Sequence, residues 1–303
     1  SLHESFAFPT SMFLRNLMSM DTEEMIKSQP MDAVVLIGGC DKTVPALAMG
    51  AASAGIPSIM EVTGPMLTGT YHGERIGACT DCRRFWFKYR GGEIDDLEIE
   101  ELTNQLVPTA GTCGVMGTAS TMALMTEAMG MMLSGGSCIP ATYSDRSRHA
   151  ELTGKRAVGM ASENLLPKTI ITPSSIRNSL RVLQAIGGST NALIHITAIA
   201  GRLGIEIDLH EFDILGRDIP LLVDLKPSGQ FYMEDLHRAG GLAPILRELR
   251  DNLELDTMTV SGRTLGEEID ALPRAYKQKV VRPLKEPLYP EGGLAVLKGN
   301  LAP

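Results

Sequence analysis

A short apolar run that ends in two glycines constrains the fold of this chain more than any other feature. Val34 to Ile37 are four consecutive aliphatic residues, and Gly38-Gly39 follow them directly. The segment from Ala46 to Ala54 is then rich in small residues, which favour a closely packed helix. An apolar run bounded by glycine and followed by a helical segment is typical of a buried strand, a turn and a helix. The sequence therefore predicts a strand–turn–helix unit at this position.

The rest of the chain continues this alternation of short apolar runs and longer helical patterns. A second strand is predicted over 57–62, a surface helix near 93–101, and a Met- and Ala-rich core helix after Cys113 that runs to about Leu133. Alternating strands and helices favour an α/β fold with a mainly parallel sheet. We expect residues 1–282 to form one domain, and 283–303 to form an arm that leads toward another domain.

Composition and charge exclude several classes of partner. The chain has 303 residues and a formal net charge of −8, so it lacks the clustered positive charge that nucleic acids and anionic membranes require. Its apolar runs are far too short to span a bilayer, and no signal segment opens it, which predicts a cytoplasmic protein. Because the chain begins with Ser1 and stops just after an apolar run, we expect a fragment of a longer chain.

The most reactive group of residues is Cys40-Asp41-Lys42, which lies where the first strand ends. A thiol at a helix start meets free backbone N–H groups that favour the thiolate, a soft metal ligand. Asp41 offers the hard oxygen that magnesium prefers, whereas the Lys42 ammonium would repel a cation unless it were neutral or modified. The alternative is that Cys40 is a buried apolar residue and that Asp41 and Lys42 only cap the helix.

The remaining cysteines divide into one further candidate ligand and three less favoured positions. The chain has five cysteines, an odd number that argues against a disulfide framework. Cys113 repeats the setting of Cys40, because glycines surround it and a helix follows. Cys79 and Cys82 have the spacing of a redox or zinc motif, but no second ligand pair accompanies them. A buried structural role is favoured for Cys138.

Five segments, taken in order, resemble the dihydroxy-acid dehydratase and phosphogluconate dehydratase family. They are Gly39 to Ala46, Gly111 to Gly114, Gly187 to Asn191, Met233 to Gly241 and Gly292 to Asn300. Each motif alone is only moderately specific, but together they span the chain. The resemblance implies a three-layer α/β/α arrangement for this N-terminal domain.

The resemblance also implies a set of cofactors and ligands. Three cysteines of the family hold an iron–sulfur cluster, and two of them correspond to Cys40 and Cys113, while the third would precede Ser1. Magnesium is bound by Asp41 and by Lys42 as its carbamate, and the sugar-acid branch adds a carboxylate that corresponds to Glu4. That branch favours a [2Fe-2S] cluster, with [4Fe-4S] as the alternative.

The reaction implied is the removal of water from a 2,3-dihydroxy sugar acid, such as arabinonate or xylonate, to give a 2-keto-3-deoxy acid. The base, a serine, would lie beyond Pro303, so no catalytic base is expected within this chain. The alternatives are a branched-chain dihydroxy-acid dehydratase, a noncatalytic fragment that keeps a sugar-acid pocket, and a thiol-redox protein built on Cys79 and Cys82. We expect a homodimer or homotetramer that binds a small molecule, without nucleic acid or membrane partners.

Overall fold

The computed structural model describes residues 11–78 and 80–301. Four strands lie in the first third of the chain: β1 (Val34–Gly38), β2 (Ser58–Val62), β3 (Gly69–Tyr71) and β4 (Glu74–Ile76). The helices, in chain order, are α1 (Ser11–Lys27), α2 (Thr43–Ala54), α3 (Asp81–Arg90), α4 (Asp96–Gln105), α5 (Thr118–Ala128), α6 (Ser144–Glu163), α7 (Pro167–Ile170), α8 (Pro173–Ile186), α9 (Asn191–Gly201), α10 (Leu209–Asp218), α11 (Met233–Arg238), α12 (Ala243–Glu248) and α13 (Leu265–Asp270).

The strand–turn–helix unit that begins at Val34 forms as predicted. β1 pairs with β2 in parallel, in a register that runs from Val34 opposite Ser58 to Gly38 opposite Val62. Helix α2 connects the two strands, as a parallel pair requires. The domain is therefore a mixed α/β fold with a small parallel sheet, and its three-layer arrangement stays a prediction.

Backbone hydrogen bonds extend the sheet beyond the ends of these strands. Thr63 donates its N–H to the carbonyl of Gly38 at 3.0 Å. Two residues further on, Thr112 bonds in parallel fashion to both sides of Pro65: its N–H donates to Gly64, and its carbonyl accepts from Met66. The segment that carries Cys113 consequently lies at the same edge of the sheet as the turn after β1.

The Met-rich helix α5 lies at the centre of the core. Each of its residues from Ala119 to Ala128 is buried, as the sequence predicts for its apolar face. The helix ends five residues earlier than expected, because Gly130 adopts a left-handed conformation (φ 85°) that interrupts it. Met131 nevertheless stays buried, and its carbonyl accepts a hydrogen bond from Met60 in β2.

A second, smaller apolar cluster lies apart from the main core. It joins the hairpin β3–β4 to α3 and α4 through Ile76, Phe85 and Leu102, all of which are buried. The surface helix predicted near 93–101 corresponds to α4, which begins three residues later. Asp95 caps it by accepting a hydrogen bond from the N–H of Glu98.

The segment that follows residue 282 returns to the domain surface. Leu221 donates its N–H to the carbonyl of Tyr289 and accepts from the N–H of Leu288. The division into a domain and an arm stays a prediction. Among the described helices, none has the length and apolar character needed to cross a membrane.

Candidate metal centre

Cys40 lies on a tight turn between β1 and α2. Its φ of 75° is one of few positive values outside glycine, a strained conformation of the kind that recurs at functional sites. The preceding residue must be glycine, because a Cβ atom at Gly39 would lie 2.2 Å from Oγ1 of Thr63. The turn is thus held against the end of β2, and this contact fixes where the Cys40 side chain begins.

Asp41 and Lys42 form a close ion pair beside this cysteine. Lys42 Nζ lies 2.6 Å from Asp41 Oδ2, and each side chain is only 12% exposed. The Cys40 thiol donates to the other carboxylate oxygen, Oδ1, at 3.3 Å. Lys42 is the N-cap residue of α2, but its side chain makes no capping hydrogen bond. The capping hypothesis is therefore wrong for Lys42.

Cys113 shares an open cavity with Cys40, although 73 positions separate them in the sequence. The cavity has a volume of about 450 Å³, and Thr63 and Thr112 from the extended sheet edge line it as well. Gly111 allows this approach, since it has a φ of 137° and a Cβ there would lie 2.4 Å from the Met66 nitrogen. The structure thus places two thiols on the wall of one cavity, next to the Asp41–Lys42 pair.

The electrostatics of Cys40 differ from the expectation of a stabilised thiolate. Burial raises the pKa of the Cys40 thiol, and the adjacent Asp41 carboxylate raises it further. A backbone hydrogen bond from Asp41 lowers this pKa, but by less. The stabilised thiolate predicted from the helix start is therefore wrong for the net pKa of Cys40, since burial and the neighbouring negative charge outweigh the backbone N–H. A bound cation would have to displace the thiol proton itself.

The side chains at the cavity match part of the two ligand sets that the resemblance implies, one for an iron–sulfur cluster and one for magnesium. Two thiols and one neighbouring carboxylate suit a soft and a hard metal placed side by side. Within residues 11–78 and 80–301, however, no group of three or more Cys, His, Asp or Glu side chains is close enough to hold a metal. Glu4 lies outside the described residues. The described residues therefore supply only part of the ligand set that the resemblance implies.

The other cysteines occupy different environments. Cys138 is fully buried, as predicted, and burial raises the pKa of its thiol to about 12; its structural role stays a prediction. Cys82 packs into the smaller apolar cluster, and Cys79 lies outside the described residues. Between them, Asp81 accepts hydrogen bonds from the Gly77 N–H and the Tyr232 hydroxyl, both at 2.8 Å. This carboxylate therefore joins α3 to the segment before α11.

The glycine-rich turn at 187–191 is bonded to the start of α5. Ser189 Oγ lies 2.7 Å from Thr118 Oγ1, and its N–H donates to Thr121. Gly187 ends α8 in the left-handed conformation. The turn thus positions the helix that follows Cys113.

Two buried residues near the Asp41–Lys42 pair belong to no motif. Arg15 in α1 and His195 in α9 meet through a 3.0 Å contact between Arg15 Nη1 and His195 Nδ1. Burial, Arg15 and Lys42 lower the pKa of His195 to about 4, while Asp41 opposes this shift. The available signal was a histidine in the middle of the apolar helix sequence that runs from Asn191 to Gly201.

Residues 3–268 match the family described as the dihydroxy-acid/6-phosphogluconate dehydratase N-terminal region. The chain belongs to this dehydratase family. It is 46% identical over its full length to the L-arabinonate dehydratase of Rhizobium leguminosarum bv. trifolii and covers 52% of that protein. It is also 46% identical to the L-arabonate dehydratase of Azospirillum brasilense, with 99% of this chain and 52% of the relative covered.

The chain is also similar to proteins that are named dihydroxy-acid dehydratases. The protein of that name from Methanospirillum hungatei is 40% identical over 99% of the chain, which covers 54% of the relative. The chain thus spans about half the length of the curated relatives it matches. Its relatives include dehydratases of both sugar acids and other dihydroxy acids.

Proposed function

We propose that this chain is part of a hydro-lyase that removes water from a 2,3-dihydroxy sugar acid and yields a 2-keto-3-deoxy acid. The observation that carries the proposal is the cavity shared by Cys40 and Cys113, with Asp41 beside it. Relatives named for L-arabinonate, at 46% identity, support a sugar acid as substrate. The enzyme acts in the cytoplasm as a homodimer or homotetramer, and its domain has three α/β/α layers.

Cys40 and Cys113 hold an iron–sulfur cluster together with a third cysteine outside this chain. Both cysteines line one cavity, and thiolates are the ligands that iron–sulfur clusters take in proteins. The resemblance to the sugar-acid branch favours the [2Fe-2S] form over [4Fe-4S]. Because the pKa of the Cys40 thiol is raised, the thiol keeps its proton before the metal binds. Metal binding then releases this proton, since the ligand is the thiolate.

Magnesium is held by Glu4, Asp41 and Lys42. A Lys42 ammonium about 4 Å from a divalent cation would cost on the order of 8 kcal/mol at an effective dielectric constant of about 20. The neutral amine of Lys42 therefore attacks carbon dioxide. A nitrogen–carbon bond forms, one proton leaves to solvent, and the lysine becomes an anionic carbamate. The carbamate no longer carries the positive charge that repels magnesium, and its anionic oxygen is the kind of ligand that magnesium prefers.

The residues of this chain bind and orient the substrate, while the metals supply the electrophilic chemistry. Asp41 and Lys42 would hold the magnesium, Cys40 and Cys113 would hold the cluster, and both groups would supply Lewis-acid chemistry when bound. Thr63 and Thr112 line the same cavity as the two thiols. The Thr63 hydroxyl can donate a hydrogen bond to a substrate hydroxyl, whereas the Thr112 hydroxyl, which donates to the carbonyl of Gly64, can accept one. The C2 proton goes to the serine base expected beyond Pro303.

A branched-chain dihydroxy acid is the second candidate substrate, because the Methanospirillum hungatei relative is named a dihydroxy-acid dehydratase. Purified anaerobic holoenzyme should be supplied with arabinonate, xylonate and a branched-chain 2,3-dihydroxy acid in parallel, and 2-keto acid formation measured. We expect faster turnover of a sugar acid. Preferred turnover of the branched-chain acid would reject the sugar-acid assignment, and sugar-acid binding without any product would support the noncatalytic alternative.

A further inference from the structure

His195 carries a hydrogen-bond donor whose position can be assigned from its neighbour. The side chain is 0% exposed, and its Nδ1 lies 3.0 Å from Nη1 of Arg15. A guanidinium group can only donate, so Nδ1 must be the acceptor in this contact. The neutral ring then carries its hydrogen on Nε2.

That N–H group lacks an acceptor. In the part of the chain that the structure describes, Nε2 of His195 is buried without any hydrogen-bond partner. Buried donors in native proteins are almost always paired, because an unpaired one loses its hydration without compensation. The unpaired N–H of His195 is therefore available to an acceptor that the described residues do not supply.

The partner of His195 adds a buried positive charge. Arg15 is 6% exposed, and its other hydrogen bonds go to the neutral Oδ1 of Asn16. No carboxylate among the described residues lies within ion-pair distance of Arg15, and Arg202 lies near enough to lower its pKa together with burial. A buried cation and an unpaired donor in contact favour an anion at the donor.

The His195 ring lies within electrostatic range of Lys42. Helix α9, which carries His195, packs against α2, and Lys42 immediately precedes α2. The charges of Lys42 and Asp41 both act on His195, which places the ring within electrostatic range of both residues. Since Arg15 and His195 are both buried, a diffusing substrate cannot reach them directly, and the acceptor is better supplied by the chain itself.

We infer that Arg15 and His195 are positioning residues that stabilise the carbamate form of Lys42, with His195 Nε2–H donating to a carbamate oxygen. Arg15 holds the ring in the tautomer that presents this donor and supplies positive charge behind it. The inference rests on the carbamate of the proposed function. It extends that function, because it names the groups that favour the modified lysine over the ammonium.

Two substitutions at position 195 distinguish the contribution of the Nε2 donor from that of the rest of the ring. An asparagine in His195→Asn can accept from Arg15 at the position of Nδ1 but has no donor at the position of Nε2. A glutamine in His195→Gln can place an amide N–H near that second position. The intact holoprotein should be incubated with magnesium and ¹³C-labelled bicarbonate, and the carbamate carbon followed by NMR, with Lys42→Ala as the blank.

We expect His195→Asn to raise the bicarbonate concentration for half-maximal carbamate by about tenfold or more, as loss of a charge-assisted hydrogen bond implies. His195→Gln should restore most of this loss. Melting temperatures of both variants show whether the fold is retained. If His195→Asn does not fold, Arg15→Gln, which keeps a donor to Nδ1 but removes the charge, should raise the same concentration.

The outcomes distinguish the inference from the function on which it rests. A wild-type carbamate signal that His195→Asn and Arg15→Gln leave unchanged would overturn the inference alone. Absence of the signal from the wild-type holoprotein would overturn both the inference and the proposed magnesium ligand. Equal losses in His195→Asn and His195→Gln, with both variants folded, would contradict the role of the Nε2 donor.

Discussion

The carboxylate of Asp41 accepts a hydrogen bond from the ammonium group of its neighbour Lys42, at 2.6 Å and with both side chains largely buried. In an ion pair of this kind the opposite charges of the two side chains compensate each other. The same carboxylate accepts from the Cys40 thiol. One small group of atoms therefore connects the candidate cluster ligand with the candidate magnesium ligands.

Substitution of Lys42 should separate its ligand role from its charge. We expect Lys42→Ala to weaken magnesium binding by about 100-fold or more, because even groups behind metal ligands contribute about 10- to 100-fold. Lys42→Arg should bind magnesium still more weakly, since it keeps the positive charge and cannot form a carbamate. Titration calorimetry of the intact protein, with and without bicarbonate, tests this, and wild-type affinity in Lys42→Ala would rule out the ligand role.

The turn at Cys40 should be intolerant of a side chain at the preceding position. Gly39→Ala would place a Cβ atom 2.2 Å from Thr63 Oγ1, and overpacking of this kind costs about 1–3 kcal/mol. Urea unfolding should show this loss, and Thr63→Ala in the same chain should recover part of it. Gly154→Ala is the control, because nothing lies within 4 Å of its added Cβ. An unchanged stability of Gly39→Ala would mean that the turn is not closely packed against β2.

The buried carboxylate of Glu61 in β2 should contribute strongly to the free energy of unfolding. Glu61 accepts hydrogen bonds from Arg146 at 2.7 Å and from His149 and Thr153 at 2.8 Å. Glu61→Gln should lower the free energy of unfolding by about 3 kcal/mol, because it leaves Arg146 buried without its counter-ion. Glu163→Gln, which removes a surface pair, should cost less than about 1 kcal/mol. Equal costs would contradict this account of the network.

The same network predicts a pH dependence of stability. Burial acts to raise the pKa of Glu61, but hydrogen bonds from its partners outweigh it, and the net pKa lies below the ordinary 4.5. Burial acts to lower the pKa of His149, but Glu61 outweighs it, and the net pKa lies above the ordinary 6.5. The Glu61 contribution is lost as pH falls through its lowered pKa, below 4.5. The His149 contribution is lost as pH rises above 6.5 through its raised pKa.

The difference in free energy of unfolding between wild type and Glu61→Gln should therefore be largest between about pH 4.5 and 6.5. Urea unfolding across this range provides the measurement. A difference that stays constant from pH 4 to 9 would show that the Glu61–His149 pair does not couple protonation to folding.

The local sequence predicts the first strand–turn–helix unit and the buried helix α5, because apolar periodicity and glycine placement are local signals. It does not predict the hairpin β3–β4, whose strands have only three residues each. Glu61 could have been recognised as a network residue, since it is a charged residue within an otherwise apolar strand. The structure confirms a mixed α/β fold, while the three-layer arrangement stays a prediction.

Only part of the candidate site can be predicted from the sequence. Motifs pointed to Cys40 and Cys113, and the structure places both on one cavity, but their ligand roles stay predictions. The Arg15–His195 contact joins residues 180 positions apart, and no local pattern could reveal it. The pKa of Cys40 depends on burial and on Asp41, which become known only when the chain is folded.

Cys79 and Cys82 should be dispensable for iron binding. Cys82 packs against the smaller apolar cluster around Ile76 and Phe85, away from the residues that line the cavity shared by Cys40 and Cys113. Replacement of both Cys79 and Cys82 by serine in the intact protein should therefore leave the iron content unchanged, at some cost in stability. Loss of iron from the folded double variant would show that the cluster ligands were assigned wrongly.

The iron and acid-labile sulfide content of single cysteine variants shows whether Cys40 and Cys113 ligate a cluster. Intact wild-type protein, Cys40→Ser, Cys113→Ser and the control Cys138→Ala should be purified without oxygen and analysed per mole of folded chain. We expect Cys40→Ser and Cys113→Ser each to lose most of the iron and sulfide, while Cys138→Ala keeps the wild-type amounts. Wild-type iron and sulfide in either serine variant would mean that the substituted cysteine is not a cluster ligand.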